Sequence, residues 1–94
     1  MPRFDKLAVL QKMQETGIVP VFYHKDVNVV NSVIKACYDG GIRVFEFTNR
    51  GDFAHEVFAE LVKYATKECP EMGIGAGSII DAPTAVLYIQ MIYV

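Results

Sequence analysis

RVFEFTNRG, residues 43–51, is an apolar strand that carries Glu46, Thr48 and Arg50 on one face. Side chains alternate along a strand, so Val44, Glu46, Thr48 and Arg50 point one way and Phe45, Phe47 and Asn49 the other. Two readings compete. The strand is amphipathic, with its polar face in water, or a carboxylate, a hydroxyl and a guanidinium line up at the end of a buried strand. The segments on either side decide between them.

Upstream, FDKLAVLQKMQETG places Leu7, Leu10 and Met13 on one helical face, with Ala8 and Val9 beside them and Gly17 as the stop. IVPVFYH is a short continuous strand, and Pro20 belongs near its start because proline cannot donate to a ladder. DVNVVNSVIKACYDGG sets Val30, Val33, Ile34 and Cys37 at helical spacing, with Asp26 or Asn28 as cap and Gly40–Gly41 as the end. Downstream, GDFAHEVFAELVKYATKECP is a longer helix, with Asp52 as N-cap and Ala54, Val57, Phe58, Leu61 and Ala65 as its buried stripe. Phe53, Phe58 and Tyr64 fall at helix-packing positions, and the Glu and Lys positions form a solvated face. MGIGAGSI is a third strand, and Asp81 caps a final helix, APTAVLYIQM.

The order is a helix, then strand–helix three times. Helix-length connections are too long for hairpins and imply parallel strands joined by right-handed crossovers. Parallel strands have helices over them and no wet face. If Phe45 and Phe47 pack on helices, Glu46 faces a second helix layer or the inside of a barrel. Beneath a helix an unpaired carboxylate is costly. A barrel suits it better, because polar groups converge at the carboxyl ends of barrel strands. The fold class expected is α/β, specifically the first three β/α units of a (β/α)8 barrel after an N-terminal helix. Residues 1–94 then form a single incomplete domain.

Composition narrows the function. The chain is 52% hydrophobic and 21% charged with a net charge of −2, so it is globular. No run of Lys or Arg suggests nucleic acid or a membrane surface as partner. No apolar stretch is long enough to span a bilayer, and the charged N-terminus is unlike a signal peptide. Cys37 and Cys69 match no metal spacing and fit two reduced thiols in a cytoplasmic protein.

Glu46 is the principal candidate. Desolvation inside a barrel raises a carboxyl pKa toward the range useful to a general base, whereas an ion pair with Arg50 would only orient the strand. Arg50 could fork onto a carboxylate or phosphate, or be a surface arginine. In GIGAGS, residues 73–78, alternating glycines leave one strand face bare, so a neighbour or ligand can approach the backbone. Ser78 offers a hydroxyl at the strand end near Thr48; the plainer alternative is a thin strand making room for a bulky residue such as Phe45. The motif is not a dinucleotide fingerprint, since Ser78 stands where the third glycine belongs. His24 and His55 have no second metal ligand at suitable spacing, and no metal is expected.

GIVPVFYHKD, GGIRVFEFTNRG and MGIGAGSIID together resemble the opening of the 2-keto-3-deoxy-6-phosphogluconate and 4-hydroxy-2-oxoglutarate aldolase family, from about Gly17 to Gln90. The combined E-x-T-x-R and GAG-S/T spacing carries the resemblance. It implies a (β/α)8 class I aldolase, trimeric in the family and independent of metal or other cofactor, in which a lysine forms a Schiff base with the ketone of a pyruvate-type 2-keto acid. It further implies that Glu46 is the general acid/base, that Arg50 and Ser78 hold the carboxylate, and that Thr48 shapes the pocket. Ser78 stands where the family often has threonine.

A complete barrel needs about 200 residues. The family's Schiff-base lysine and phosphate loops lie on later strands, and none of Lys6, Lys12, Lys25, Lys35, Lys63 or Lys67 falls on a strand here. The apolar QMIYV at the end is expected to be a truncation, and the chain alone is expected to be inactive. Two rival readings stand beside this one. The first is a non-catalytic α/β fragment that self-associates or complements a missing half. The second is another phosphosugar barrel enzyme using Glu46 as a base without a Schiff base.

Overall fold

The structure, a computed structural model, describes residues 3–92; Tyr93 and Val94 of the QMIYV segment lie outside the described residues. Four helices and three strands alternate as expected: α1 (Lys6–Thr16), β1 (Val21–Phe22), α2 (Val27–Asp39), β2 (Val44–Thr48), α3 (Ala54–Glu68), β3 (Gly73–Gly77) and α4 (Ala82–Ile92). The strands form one parallel sheet in the order β1–β2–β3. The described residues thus supply a three-stranded parallel unit, not a closed barrel.

Local chemistry sets most boundaries. The Asp5 carboxylate accepts the Ala8 N–H at 2.8 Å to start α1, and Gly17, at φ 72°, ends it with its N–H on Met13 O. Asp26, not Asn28, caps α2 by accepting the Asn28 N–H at 2.9 Å. Asp81 accepts the Thr84 N–H at 2.8 Å to open α4.

Three expectations are corrected. IVPVFYH contributes only a two-residue strand. Pro20 gives the sheet a carbonyl, which accepts the Glu46 N–H at 2.9 Å, but has no N–H to extend the ladder. Past Phe22 the chain turns, and His24 Nδ1 accepts the Asp26 N–H at 3.0 Å. Asp52 is not the cap of α3. Phe53 precedes that helix in a left-handed backbone (φ 58°, ψ 25°) with no side-chain cap, and its ring is 67% exposed rather than packed. The third correction concerns α1. Leu7 and Leu10 are exposed, and the helix approaches the sheet through Val9, whose methyl lies 3.8 Å from where a Cβ on Gly73 would stand. The contact that brings Val9 against Gly73 is one that the helix's own periodicity does not encode.

The core lies between the sheet and the α2–α3 layer. Phe45 and Phe47 point into it, where Val30 and Ile34 of α2 and Phe58 and Leu61 of α3 are fully buried. Burying each phenylalanine contributes about 1.5–3 kcal/mol. Val57 is only partly buried, and Val62 joins Ala54, Phe58, Leu61 and Ala65 on the inward face. Cys37 and Cys69 are free thiols; burial pushes the Cys69 thiol up in pKa, with nearby Lys35 opposing, which keeps it protonated and unreactive.

Candidate active site

The face opposite the core is the one that carries Glu46. Register places Glu46 beside Gly75 and Thr48 beside Gly77, all on the side away from α2 and α3. This face is half-covered. Residues Val9 and Met13 of α1 close its lower end, leaving a trough of about 170 Å³ floored by Val44, Glu46 and the glycine strand. The polar face of RVFEFTNRG is therefore neither fully wet nor sealed under a helix.

Glu46 reaches across to the neighbouring strand. Its carboxylate lies 3.1–3.3 Å from the position a Cβ would take on Gly77. The alternating glycines do make room for a side chain, but for Glu46, not Phe45, which points into the core on the other face. No ion pair joins Glu46 to Arg50; the pairs among the described residues are Lys12–Glu71, Lys35–Asp39 and Lys63–Glu60. The strand-orienting ion pair weighed from the sequence does not form.

Beyond the strands, the two following loops leave the sheet side by side. Asn49 N–H donates to Gly77 O at 2.6 Å, continuing the ladder one step past Thr48. Arg50 and Ser78, both exposed, thus stand at the same end of the sheet, with Thr48 half-buried between them and Glu46 one layer deeper. Gly51 follows at φ 116°, and Tyr23 Oη lies 2.5 Å from where its Cβ would be, so only glycine fits that turn.

Sequence reasoning missed a pair. Tyr88 of α4 donates its hydroxyl to Asn49 Oδ1 at 2.8 Å. The signal was available: Asn49 ends the face that carries Phe45 and Phe47, and a polar group there needs a partner. The partner's position, 39 residues on, was not. The lysines all lie on helices or, for Lys25, in the β1–α2 loop, and no group of three or more His, Cys, Asp or Glu that could hold a metal exists among the described residues.

A parallel α/β unit with a carboxylate, hydroxyls and a guanidinium at the carboxyl ends of its strands has the layout in which such folds bind and transform small molecules. Residues 9–90 match the family model described as KDPG and KHG aldolase, and the chain belongs to that family. It is 40% identical over 77 residues to a 2-dehydro-3-deoxy-phosphogluconate aldolase of Pseudoalteromonas atlantica. That alignment takes in 82% of this chain and 34% of the relative, so the chain spans about a third of the relative's length. The resemblance drawn from the E-x-T-x-R and GAG-S motifs is thereby shown.

Proposed function

We propose that this chain supplies the acid/base and carboxylate-holding part of a class I aldolase that cleaves 2-keto-3-deoxy-6-phosphogluconate to pyruvate and glyceraldehyde 3-phosphate, or 4-hydroxy-2-oxoglutarate to pyruvate and glyoxylate. The observation that carries this reading is the Glu46 carboxylate, which joins no ion pair among the described residues and reaches from the floor of the trough over Gly77 at the carboxyl end of β3. Arg50 offers a planar fork to the substrate carboxylate, and the Ser78 hydroxyl adds a donor. Thr48 walls the pocket between them. Glu46 moves protons. It donates as the carbinolamine loses water to form the Schiff base. It then accepts the proton of the hydroxyl on the carbon being released as the carbon–carbon bond breaks.

The Schiff-base nucleophile of this scheme is a strand lysine, and no lysine of these 94 residues lies on a strand. The 94 residues by themselves therefore bind pyruvate weakly and do not turn over. The test is twofold. Titration with labelled pyruvate, followed by NMR, shifts the Arg50 and Ser78 amides in the parent chain and not in Arg50→Ala. Incubation with either hydroxy-keto acid releases no pyruvate. Absence of pyruvate binding sinks the assignment of Arg50 and Ser78; release of pyruvate sinks the requirement for a strand lysine.

A second observation favours self-association of this chain. Among the described residues β3 pairs only with β2, and Ile80, Val86 and Ile89 beyond it are exposed.

A further inference from the structure

We infer that Asn49 and Tyr88 form a positioning clamp that fixes the loop carrying Arg50 against the loop carrying Ser78. The inference rests on the reading of those two residues as the carboxylate holders, and reaches beyond it to residues outside the E-x-T-x-R and GAG-S motifs. Asn49 is the hub. Its backbone N–H donates to Gly77 O at 2.6 Å, and its side-chain Nδ2 makes a long hydrogen bond of 3.5 Å to Ser78 O. Its Oδ1 accepts from the Tyr88 hydroxyl at 2.8 Å. One residue therefore touches the β3 end, the loop after β3 and helix α4, while its chain neighbour is Arg50.

The far end of the clamp is rigid. Tyr88 is 3% exposed and meets Phe58 edge-on, with ring centroids 4.9 Å apart. Phe58 in turn packs on Phe47 at 5.9 Å, directly beneath the strand end that Asn49 continues. Burial, with Tyr23 nearby, pushes the Tyr88 phenol above its ordinary pKa of 10, so its hydroxyl stays a donor at neutral pH. The Ser78 carbonyl can only accept, so it takes Asn49 Nδ2 and leaves Oδ1 for the Tyr88 hydroxyl, which donates. Without the hydroxyl the Asn49 amide keeps only its long 3.5 Å bond to Ser78 O, and one backbone hydrogen bond is the main link between the two loops.

The variant that tests this is Tyr88→Phe, which removes one oxygen and leaves the ring in place. Expected are hydrogen exchange about tenfold faster at the Asn49 amide, whose N–H donates to Gly77 O across the two loops, and pyruvate binding about tenfold weaker, the effect of losing roughly one hydrogen bond. The melting temperature and exchange in α2 stay near those of the parent. Unchanged exchange at Asn49 overturns the clamp. Exchange that rises evenly over the whole chain also overturns it, since Tyr88 would then be a core residue and nothing more. If the parent binds no pyruvate, the carboxylate-holding reading fails on its own, and the exchange measurement still decides the clamp. Should Tyr88→Phe not fold, Asn49→Leu is read at the backbone amide of position 49 with the same two outcomes.

Discussion

At Gly77 one absent methyl group determines where the Glu46 carboxylate rests. A Cβ there would stand 3.1 Å from Glu46 Cδ and Oε2, tighter than ordinary contact, and the strand backbone cannot shift without breaking its pairing with β2. Among the described residues the carboxylate has no ion pair to hold it, so it is the group that yields. Gly77→Ala is therefore expected to fold, with a melting temperature within about 5 °C of the parent, because a side chain that can swing into open space relieves the contact for less than about 1 kcal/mol. The Glu46 side-chain carboxyl resonance moves in the same variant, reporting a carboxylate displaced from the trough. A much larger fall in melting temperature would mean that the carboxylate is held in place by its surroundings, and that the trough is less open than its shape suggests. The comparison separates a glycine kept for the fold from one kept for the position of an acid.

The elements themselves were largely legible in the sequence because their signals are local. Asp26 and Asp81 accept N–H groups two and three residues on, and Gly17 reverses the chain within one turn of its helix. What was not legible depends on residues distant in sequence. The approach of Val9 to the sheet meets a glycine on β3, the turn at Gly51 lies against Tyr23, and the Asn49–Tyr88 bond joins the end of β2 to α4. In the candidate site, strand alternation put Glu46, Thr48 and Arg50 on one side, but could not show that the carboxylate crosses to Gly77. The cap of α4 offers a test at this scale. Hydrogen bonds from the Thr84 backbone N–H and then its hydroxyl hold the Asp81 carboxyl below its ordinary value of 3.8. A carboxyl with a lowered folded pKa stabilises fully above the unfolded value and loses that stabilisation as pH falls through the folded one. Helix α4 is thus expected to fray only below about pH 3.8, seen as loss of protection at Thr84 and Ala85. Asp81→Asn keeps an acceptor and should abolish this pH dependence. Fraying that persists in Asp81→Asn would place the acid sensitivity elsewhere.

For the whole molecule the decisive feature is that, among the described residues, the parallel sheet has an open side at β3. Gly73 N–H donates to Arg43 O and Gly77 O accepts from Asn49, so the odd-numbered residues of β3 face β2. Ile74 and Ala76 consequently turn their N–H and C=O groups to the unpaired edge. That edge, GIGAG, carries no charge or proline of the kind that keeps exposed strands apart. Next to it α4 contains no charged residue, and Val86 and Ile89 are about half exposed. The 94-residue chain is therefore expected to self-associate, with an average mass in sedimentation equilibrium that rises with concentration. Ala76→Pro deletes an N–H from the outer edge and leaves the ladder to β2 intact, a substitution that edge strands tolerate. It should shift the chain toward monomer without changing its circular dichroism. If the parent is monomeric at every concentration, the open edge does not attract a second copy. If the parent associates and Ala76→Pro associates equally, the contact runs through helix faces. The exposed Leu7 and Leu10 of α1 and Val86 and Ile89 of α4 are then the residues to charge next, one face at a time, until the mass falls.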